Sequence, residues 1–156
     1  MSRVQLALNV ENLDEAIDFY SKLFAAQPAK VRPGYANFAV ADPPLKLVLI
    51  EDRTRVPGSL NHLGVEVESS EQVTAAQIRL AAADLTTAVE EQVACCYAVQ
   101  DKVWVDGPGG VPWEIYTVLA DIEMPAGELR PVGPAVADCC ATRPDLAGAD
   151  SASSCC

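Results

Sequence analysis

The first part of the chain has a pattern of apolar and polar residues that predicts a strand followed by a helix. Residues 3–10 (RVQLALNV) alternate with the period of a strand, whereas residues 12–24 repeat their apolar side chains at helical spacing. Asn12 is the predicted N-cap of this helix, and Glu15 stands at the capping-box position. The helix collects four apolar side chains on one face, which are Leu13, Ile17, Tyr20 and Phe24.

The second part of the chain repeats this series of elements. After two short predicted strands at 35–40 and 45–50, residues 60–67 alternate again as a strand. Residues 69–83 have the spacing of a second helix, for which Ser70 is the predicted cap. The remaining predictions are strands around 93–99, 102–106 and 112–118 and a turn at 106–110 (DGPGG).

A shift of 57 residues superimposes the first series on the second, and it places Gln5 on His62. Few residues are identical, but the order and type of the elements match, which indicates an internal duplication of a βαββ(β) unit. The modules are predicted at about 1–55 and 58–120. Two such units, when paired, would form a curved sheet with its helices outside, and its concave side is the natural place for a ligand.

Composition narrows the class of protein. The net charge of −11 argues against nucleic acid and anionic membrane surfaces as partners. The first residues lack the apolar core of a signal peptide, and no segment has the roughly 20 apolar residues of a membrane span. The sequence therefore predicts a soluble cytoplasmic protein. Residues 121–156 are rich in Pro, Ala, Gly, Asp and Ser and are predicted to form a flexible tail.

The six cysteines form three adjacent pairs, Cys95/Cys96, Cys139/Cys140 and Cys155/Cys156. Neighbouring Cα atoms lie about 3.8 Å apart, which is less than the roughly 4.4–6.8 Å that a disulfide usually spans. A bond within a pair would therefore be strained, and two thiolates side by side are better suited to hold a soft, thiophilic element. The alternative is that Cys95 and Cys96 are small core residues.

Two further residues are candidates for a metal site. His62 is the only histidine of the chain, and Glu114 stands in the apolar strand VPWEIYTV. A carboxylate is expensive to bury unless it is paired or bound to a metal. The alternatives are a structural histidine and a glutamate that faces outward from a half-exposed strand.

Four segments carry a resemblance to a known family: GYANFAVADPPLKLVLIE, NHLGVEVES, CCYAVQDKVWVDGPGG and PWEIYTVL. They resemble the vicinal oxygen chelate superfamily of glyoxalases, bleomycin-resistance proteins and extradiol dioxygenases. Residues 1–120 are most similar to its organoarsenical C–As lyases and their cadmium-induced relatives. The resemblance implies an α+β fold in which two tandem βαβββ modules form a curved mixed-sheet cup.

The resemblance also implies a metal site. The superfamily takes its ligands from the first strand of each module and from the last strand, which here gives Gln5, His62 and Glu114. The fourth ligand of glyoxalases would fall at Lys46 or Val48, neither of which suits a metal. Three protein ligands leave open positions for non-haem Fe(II), the implied cofactor. Gln5 replaces a histidine of the usual iron site, and this departure leaves the identity of the metal open.

The implied activity is Fe(II)- and O2-dependent cleavage of the carbon–arsenic bond of trivalent methyl- or arylarsenicals, with Cys95 and Cys96 binding the arsenic. The loop 91–102 would be a mobile lid, in which Lys102 favours the thiolates. Ordinary packing and solvation are the alternative for Tyr97 and Lys102. The tail cysteines are expected either to capture arsenite or to be irrelevant to catalysis.

Two other functions remain open for this sequence. One is a non-catalytic protein that sequesters cadmium or arsenite, which three cysteine pairs and the replacement of histidine by Gln5 favour. The other is a glyoxalase-like isomerase, against which the missing fourth ligand and the Cys95/Cys96 pair argue. The expected partners are the organoarsenical and O2, without nucleic acid or membrane. The oligomeric state is left open, with a homodimer as one option.

Overall fold

The computed structural model describes residues 2–122, which form two helices and eight strands. The elements follow in the order β1 (Arg3–Val10), α1 (Leu13–Phe24), β2 (Lys30–Arg32), β3 (Tyr35–Val40), β4 (Leu45–Glu51), β5 (Leu60–Glu66), α2 (Ser70–Ala82), β6 (Thr87–Cys95), β7 (Ala98–Asp106) and β8 (Pro112–Asp121). This is βαβββ twice over, as predicted, and the α+β fold class is confirmed. Neither helix in this part of the chain has the length and apolar character to cross a bilayer.

The chain divides into two compact units between Glu66 and Val67. In the first unit β1 lies between β4, to which it is parallel, and β5, to which it is antiparallel; β3 and β2 extend the sheet beyond β4. In the second unit β7 lies between β6 and β8, and both pairs are antiparallel. Strand β5 therefore belongs to the second βαβββ series in sequence but to the first unit by its contacts.

Each helix covers one face of the sheet in its own unit. In the first unit the predicted stripe of α1 packs against buried side chains of β1, β3 and β4 that include Phe38, Leu47 and Leu49. In the second unit Val73, Ala76 and Leu80 of α2 pack against Val103 of β7. Burying these apolar side chains stabilises the fold by roughly 1.5–3 kcal/mol for each large one.

The start of α1 confirms the predicted cap. Asn12 is extended, and its side-chain oxygen accepts a hydrogen bond of 3.1 Å from the backbone N–H of Glu15. The start of α2 corrects the prediction for Ser70, because Ser69 is the N-cap and Ser70 is already helical. The hydroxyl of Ser70 instead donates to Asp101 on β7, at 2.5 Å.

The strands near the first cysteine pair also differ from the sequence prediction. The predicted strand at 93–99 is wrong at its end, because β6 finishes at Cys95, the chain turns through Cys96 and Tyr97, and β7 starts at Ala98. The predicted turn at 106–110 is confirmed, and Gly109 and Gly110 have the positive φ that makes glycine favourable there. The predicted tail falls outside the described residues from position 123 onward, together with Cys139/Cys140 and Cys155/Cys156.

Candidate functional site

The face of the first sheet that α1 does not cover carries buried polar side chains. Successive strand residues point to opposite faces, so Gln5 and Asn9 of β1 face away from the helix. The register pairs Gln5 with Lys46 of β4 and pairs Ala7 with His62 of β5. Gln5, Asn9 and His62 are each at most 4% exposed. A buried polar side chain is costly without a partner, so this face depends on its hydrogen bonds.

Gln5 and His62, which the duplication superimposes, are in direct contact. The side-chain nitrogen Nε2 of Gln5 lies 3.0 Å from Nε2 of the His62 ring. This contact follows from the antiparallel pairing of β1 with β5, which places the two residues on one face of neighbouring strands. The structure thus brings together the two predicted ligands that belong to the first unit.

A chain of amide groups orients the imidazole from its other side. Nδ1 of His62 lies 2.7 Å from Oδ1 of Asn61, and Nδ2 of Asn61 donates to Oδ1 of Asn9 at 2.8 Å. Asn9 in turn donates through Nδ2 to the hydroxyl of Ser59, at 3.0 Å. Because Oδ1 of Asn61 can only accept, Nδ1 of His62 carries the proton and donates it. In the neutral ring, Nε2 is then the nitrogen with a lone pair, which accepts from Gln5.

The helix-free face of the second sheet is polar as well, and it contains an almost fully buried charged pair. Glu114 of β8 is 2% exposed, and its Oε2 atom accepts a hydrogen bond of 3.0 Å from Nζ of Lys102 on β7. The register pairs Glu114 with Trp104, which lies two residues from Lys102 along β7 and therefore on the same face. The alternative of an outward-facing Glu114 is therefore wrong, and the buried carboxylate is compensated by a buried ammonium group.

Lys102 is held among several groups that favour its charged form. Its Nζ atom lies 5.4 Å from the ring centre of Trp104 and 5.9 Å from that of Tyr116. Burial alone would lower the pKa of Lys102, but the negative charges of Glu114, Cys96 and Glu90 outweigh it and raise the pKa above its ordinary value. The alternative that Lys102 is an ordinary solvated side chain is thus wrong, because this residue is 1% exposed.

Cys95 and Cys96 lie at the tip of the β6–β7 hairpin, with their sulfur atoms 3.3 Å apart. This distance exceeds the roughly 2.05 Å of a disulfide, so the two cysteines are not bonded to each other. Cys95 is 2% exposed and is disulfide-bonded, whereas Cys96 is half-buried and forms no disulfide. The charge of a Cys96 thiolate is one of the causes that raise the pKa of Lys102, so the ammonium group and this sulfur interact electrostatically.

The backbone of this hairpin explains why the two sulfur atoms meet. Neighbouring side chains of a strand point to opposite faces, which would separate the thiols. Cys96 and Tyr97 instead have φ values of 47° and 65°, and they are the two central residues of a turn that Cys95 and Ala98 flank as a pair. Positive φ at both positions defines a type I′ turn. The predicted loop 91–102 is therefore two paired strands joined by a tight turn.

Lys46, at one of the two positions considered for a fourth metal ligand, has a different role. Its Nζ atom lies 3.2 Å from Oε2 of Glu66, and Arg3 contacts the other oxygen of Glu66 at 3.1 Å. Burial raises the pKa of Glu66, but the Arg3 and Lys46 side chains outweigh it and hold this pKa below its ordinary value. Lys46 thus takes part in an ion-pair network of the first unit.

The donor atoms of these residues are compatible with a metal ion. Among residues 2–122, no three His, Cys, Asp or Glu side chains are grouped to hold one. A metal in this part of the chain would accordingly need a ligand of another type, such as the amide oxygen of Gln5. The lone pair on Nε2 of His62 and the buried carboxylate of Glu114 are the nitrogen and oxygen donors that Fe(II) accepts.

The pairing of Lys102 with Glu114 is the main feature that the sequence interpretation missed. The turn at 106–110 was recognised, and it fixes the register of the hairpin that follows, in which Asp106 pairs with Pro112. Counting outward from this pair places Lys102 and Glu114 on one face of adjacent strands. Two opposite charges in apolar strands at this spacing were the signal that could have revealed the pair.

Comparison with known proteins adds close relatives. The chain is 65% identical over 123 residues to the cadmium-induced protein CadI of Mycobacterium bovis, covering 79% of this chain and 80% of the relative. It is 63% identical over 123 residues to a trivalent organoarsenical cleaving enzyme of Thermomonospora curvata, covering 79% and 82%.

A solved structure with a similar fold is an extradiol ring-cleaving dioxygenase from B. fuscum, with a TM-score of 0.56 and 19% identity, covering 78% of this chain and 34% of that one. At this identity the likeness concerns the fold alone. The model of the glyoxalase/bleomycin resistance protein/dioxygenase superfamily matches residues 3–115. The chain therefore belongs to the glyoxalase/bleomycin resistance protein/dioxygenase superfamily.

Proposed function

We propose that this protein cleaves the carbon–arsenic bond of trivalent organoarsenicals with bound Fe(II) and O2. The observation that carries the proposal is the pair of sulfur atoms of Cys95 and Cys96, 3.3 Å apart at the tip of a hairpin. Trivalent arsenic is soft and binds two thiolates. The relative from T. curvata, named as a trivalent organoarsenical cleaving enzyme, supports this substrate class.

The ligands we propose for the metal are Gln5, His62 and Glu114. His62 would bind through Nε2, which its contact with Asn61 leaves as the lone-pair nitrogen. The amide nitrogen of Gln5 now donates a hydrogen bond to Nε2 of His62. To bind the metal, the amide of Gln5 would rotate so that its oxygen takes the place of this nitrogen. Glu114 would contribute a carboxylate that Lys102 orients from one side. When bound, Fe(II) would supply the redox chemistry that O2 requires.

In the reduced protein, the thiols would fix the substrate before any bond to carbon is cleaved. Two sulfur–arsenic bonds form as two hydroxyl groups leave the arsenic as water, while the organic group stays attached. Holding the arsenic in this way makes the later reaction effectively intramolecular. The buried Lys102 ammonium favours the Cys96 thiolate, and the rings of Trp104 and Tyr116 shield this charge from water.

The overall reaction balances with one molecule of O2. Methylarsonous acid, CH3As(OH)2, and O2 together contain the atoms of arsenous acid, As(OH)3, and formaldehyde, CH2O. The carbon is oxidised, O2 is reduced, and no further reductant is needed. The proposal therefore predicts equal amounts of O2 consumed, arsenite released and formaldehyde formed.

The test uses the full-length, reduced protein, loaded with Fe(II) without oxygen and then mixed with methylarsonous acid and O2. We expect the three equal yields to need both iron and O2. Cys96→Ser should abolish them, whereas Cys139→Ser with Cys140→Ser is the matched control and should leave turnover intact. Arsenite release without iron, or unchanged release by Cys96→Ser, would contradict the proposal.

Sequestration of cadmium or arsenite without turnover is the second candidate function. The similarity to a cadmium-induced protein and the soft thiol pair favour it. It predicts tight stoichiometric binding of Cd(II) or arsenite in the same experiment, with no formaldehyde. Activity on a glutathione hemithioacetal with Ni(II) or Zn(II) would instead indicate a glyoxalase-like isomerase.

A further inference from the structure

Strand β6 contains a bulge three residues before the cysteine pair. Glu90 pairs with Lys102 and Val93 pairs with Gln100, so two residues of β6, Glu91 and Gln92, lie opposite a single residue of β7. Gln92 has a φ of 50°, in the left-handed region that favours glycine. An extra residue of this kind interrupts the ladder of hydrogen bonds and leaves its own backbone groups unpaired.

The residue opposite the bulge is Asp101, and it supplies the missing partner. Its Oδ1 atom accepts the backbone N–H of Gln92 at 2.7 Å, while its Oδ2 atom accepts the hydroxyl of Ser70 at 2.5 Å. One carboxylate thus connects the bulge to the first residue of α2. Ser70 belongs to α2, which packs on the face of β7 that Asp101 shares with Val103.

The bulge decides which face of the sheet Cys95 occupies. With it, Cys95 pairs with Ala98 and shares a face with Val93, Gln100 and Lys102. Without it, continuing the register from Glu90 and Lys102 would pair Ala94 with Ala98. A slip of one residue turns every following side chain to the other face. Cys95 would then point away from Lys102, and the turn would have three residues instead of two.

The same bulge makes the type I′ turn possible. A two-residue turn between Cys95 and Ala98 places Cys96 at its first central position with positive φ, and this brings the sulfur atoms together. Neither central residue is glycine, so each costs roughly 1–2 kcal/mol of backbone strain. Contacts elsewhere must hold such a conformation in place.

We infer that Asp101 is a positioning residue for the dithiol: through the N–H of Gln92 it holds the bulge that sets the Cys95–Cys96 pair beside Lys102 and Glu114. The inference rests on the proposed function, in which this pair binds the arsenical. Asp101 itself contacts neither sulfur atom in the described part of the chain. Its effect is expected on the binding of ligands that need both thiols at once, and not on the reactivity of a single thiol.

The test measures binding of phenylarsine oxide, a trivalent arylarsenical, to reduced, metal-free, full-length protein. All variants carry serine at the four cysteines of the tail, which are Cys139, Cys140, Cys155 and Cys156. We expect Asp101→Ala to weaken binding by about tenfold or more, since the chelate advantage of two aligned thiols is lost. Asp101→Asn keeps an acceptor for Gln92 and can donate to Ser70, so it should restore affinity to within about twofold of the parent protein.

Two controls separate positioning from general damage. Ser70→Ala removes only the contact with α2 and should also stay within about twofold, because Gln92 keeps its partner. The rate of alkylation by iodoacetamide, which needs one thiol at a time, should not fall in Asp101→Ala. Hydrogen exchange at the Gln92 amide should accelerate in this variant alone.

The outcomes distinguish the inference from the function on which it rests. Unchanged arsenical affinity in Asp101→Ala would overturn the inference, and so would Asp101→Asn or Ser70→Ala losing as much as Asp101→Ala. If Cys95→Ser and Cys96→Ser bind phenylarsine oxide as tightly as the parent protein, the dithiol site of the proposed function itself is wrong.

Discussion

In the first unit the two predicted metal ligands are held by neutral groups and the ion pairs of Glu66 are partly exposed, whereas in the second unit the predicted ligand Glu114 takes part in an almost fully buried charged pair beside a strained hairpin. Gln5 contacts His62, and hydrogen bonds of the uncharged amides of Asn61 and Asn9 orient the imidazole ring. Lys102 and Glu114 are both almost fully buried, and positive φ values occur nearby at Gln92, Cys96 and Tyr97. The same βαβββ series can thus support two kinds of polar site.

The difference follows from what each sheet must hold in place. A chain of hydrogen-bonded amides fixes the tautomer and orientation of an imidazole at little electrostatic cost. A buried ammonium group, by contrast, keeps a carboxylate charged and favours a neighbouring thiolate. Strain around the thiols indicates that their geometry is held by surrounding contacts. We therefore expect the second unit to be the more sensitive of the two to single substitutions.

The largest expected effect comes from breaking the charged pair. Lys102→Met leaves the Glu114 carboxylate buried without its cation and should lower the free energy of unfolding by about 3–5 kcal/mol. Gln5→Met, which breaks the neutral contact of the first unit, should cost only about 1–2 kcal/mol. Urea unfolding of the reduced, metal-free protein at pH 7 measures both. Lys102→Met combined with Glu114→Gln should recover most of the loss; equal losses in the two single variants would contradict the comparison.

The next effect concerns the chain of hydrogen-bonded amides in the first unit. Asn61→Ala removes the acceptor of the His62 Nδ1–H group and should weaken metal binding by about 10- to 100-fold. Anaerobic titration with Fe(II) or Co(II) measures the affinity, and nitrogen NMR of the single imidazole reports its tautomer. Asn37→Ala is the matched control, because Asn37 is buried in the same unit but donates to Tyr35. A loss of equal size in Asn37→Ala would argue against a specific role for Asn61.

A smaller effect should appear as a dependence of stability on pH. The pKa of Glu66 is below its ordinary value of 4.5, because Arg3 and Lys46 outweigh burial. The charged Glu66 carboxylate therefore contributes its full share to the free energy of unfolding above the unfolded-state pKa. This contribution is lost as the pH falls through the folded-state pKa. Glu66→Gln should cost about 1–2 kcal/mol at pH 7, and the difference from the wild type should shrink in acid. A difference that stays constant between pH 7 and pH 3 would exclude this linkage.

The smallest effect tests the strain of the hairpin. Gln92 is exposed and has positive φ, so Gln92→Gly should raise the free energy of unfolding by about 1 kcal/mol. Glu91→Gly, at the neighbouring exposed position, should instead lower it by about 0.5–1 kcal/mol, since glycine weakens an ordinary strand. Thermal or urea unfolding of the two variants gives the sign. Destabilisation by both would show that the backbone at Gln92 is not strained.

Elements with a strong period could be predicted from the sequence. Strand β1 and helix α1 with its Asn12 cap were found because alternation, helical spacing and capping chemistry agree. Strand β2 was missed, since Lys30–Arg32 is too short to show a period. Most of β6 was missed because Glu90 and Glu91 interrupt its apolar pattern, and the turn at Cys96 and Tyr97 has none of the usual turn residues.

The internal duplication was the one sequence signal that predicted a contact within the candidate site. It indicated the contact of Gln5 with His62, because equivalent strands of two repeats pair about a common centre. The partner of Glu114 depends on hairpin register, and the position of Cys95 depends on a bulge held by Asp101, which lies six residues further along the chain. Such contacts are set by tertiary structure, which the local pattern of apolar residues does not encode.

The position of β1 inside the first sheet has a consequence for folding. This strand leaves the ribosome well before its partners on both sides, β4 and β5, which comprise residues 45–51 and 60–66. The three strands of the second unit, by contrast, follow one another as hairpins and can pair as they emerge. Long-range pairing is slower than hairpin formation. During synthesis, the side chain of Gln5 therefore cannot reach its partner His62 until β5 has been translated.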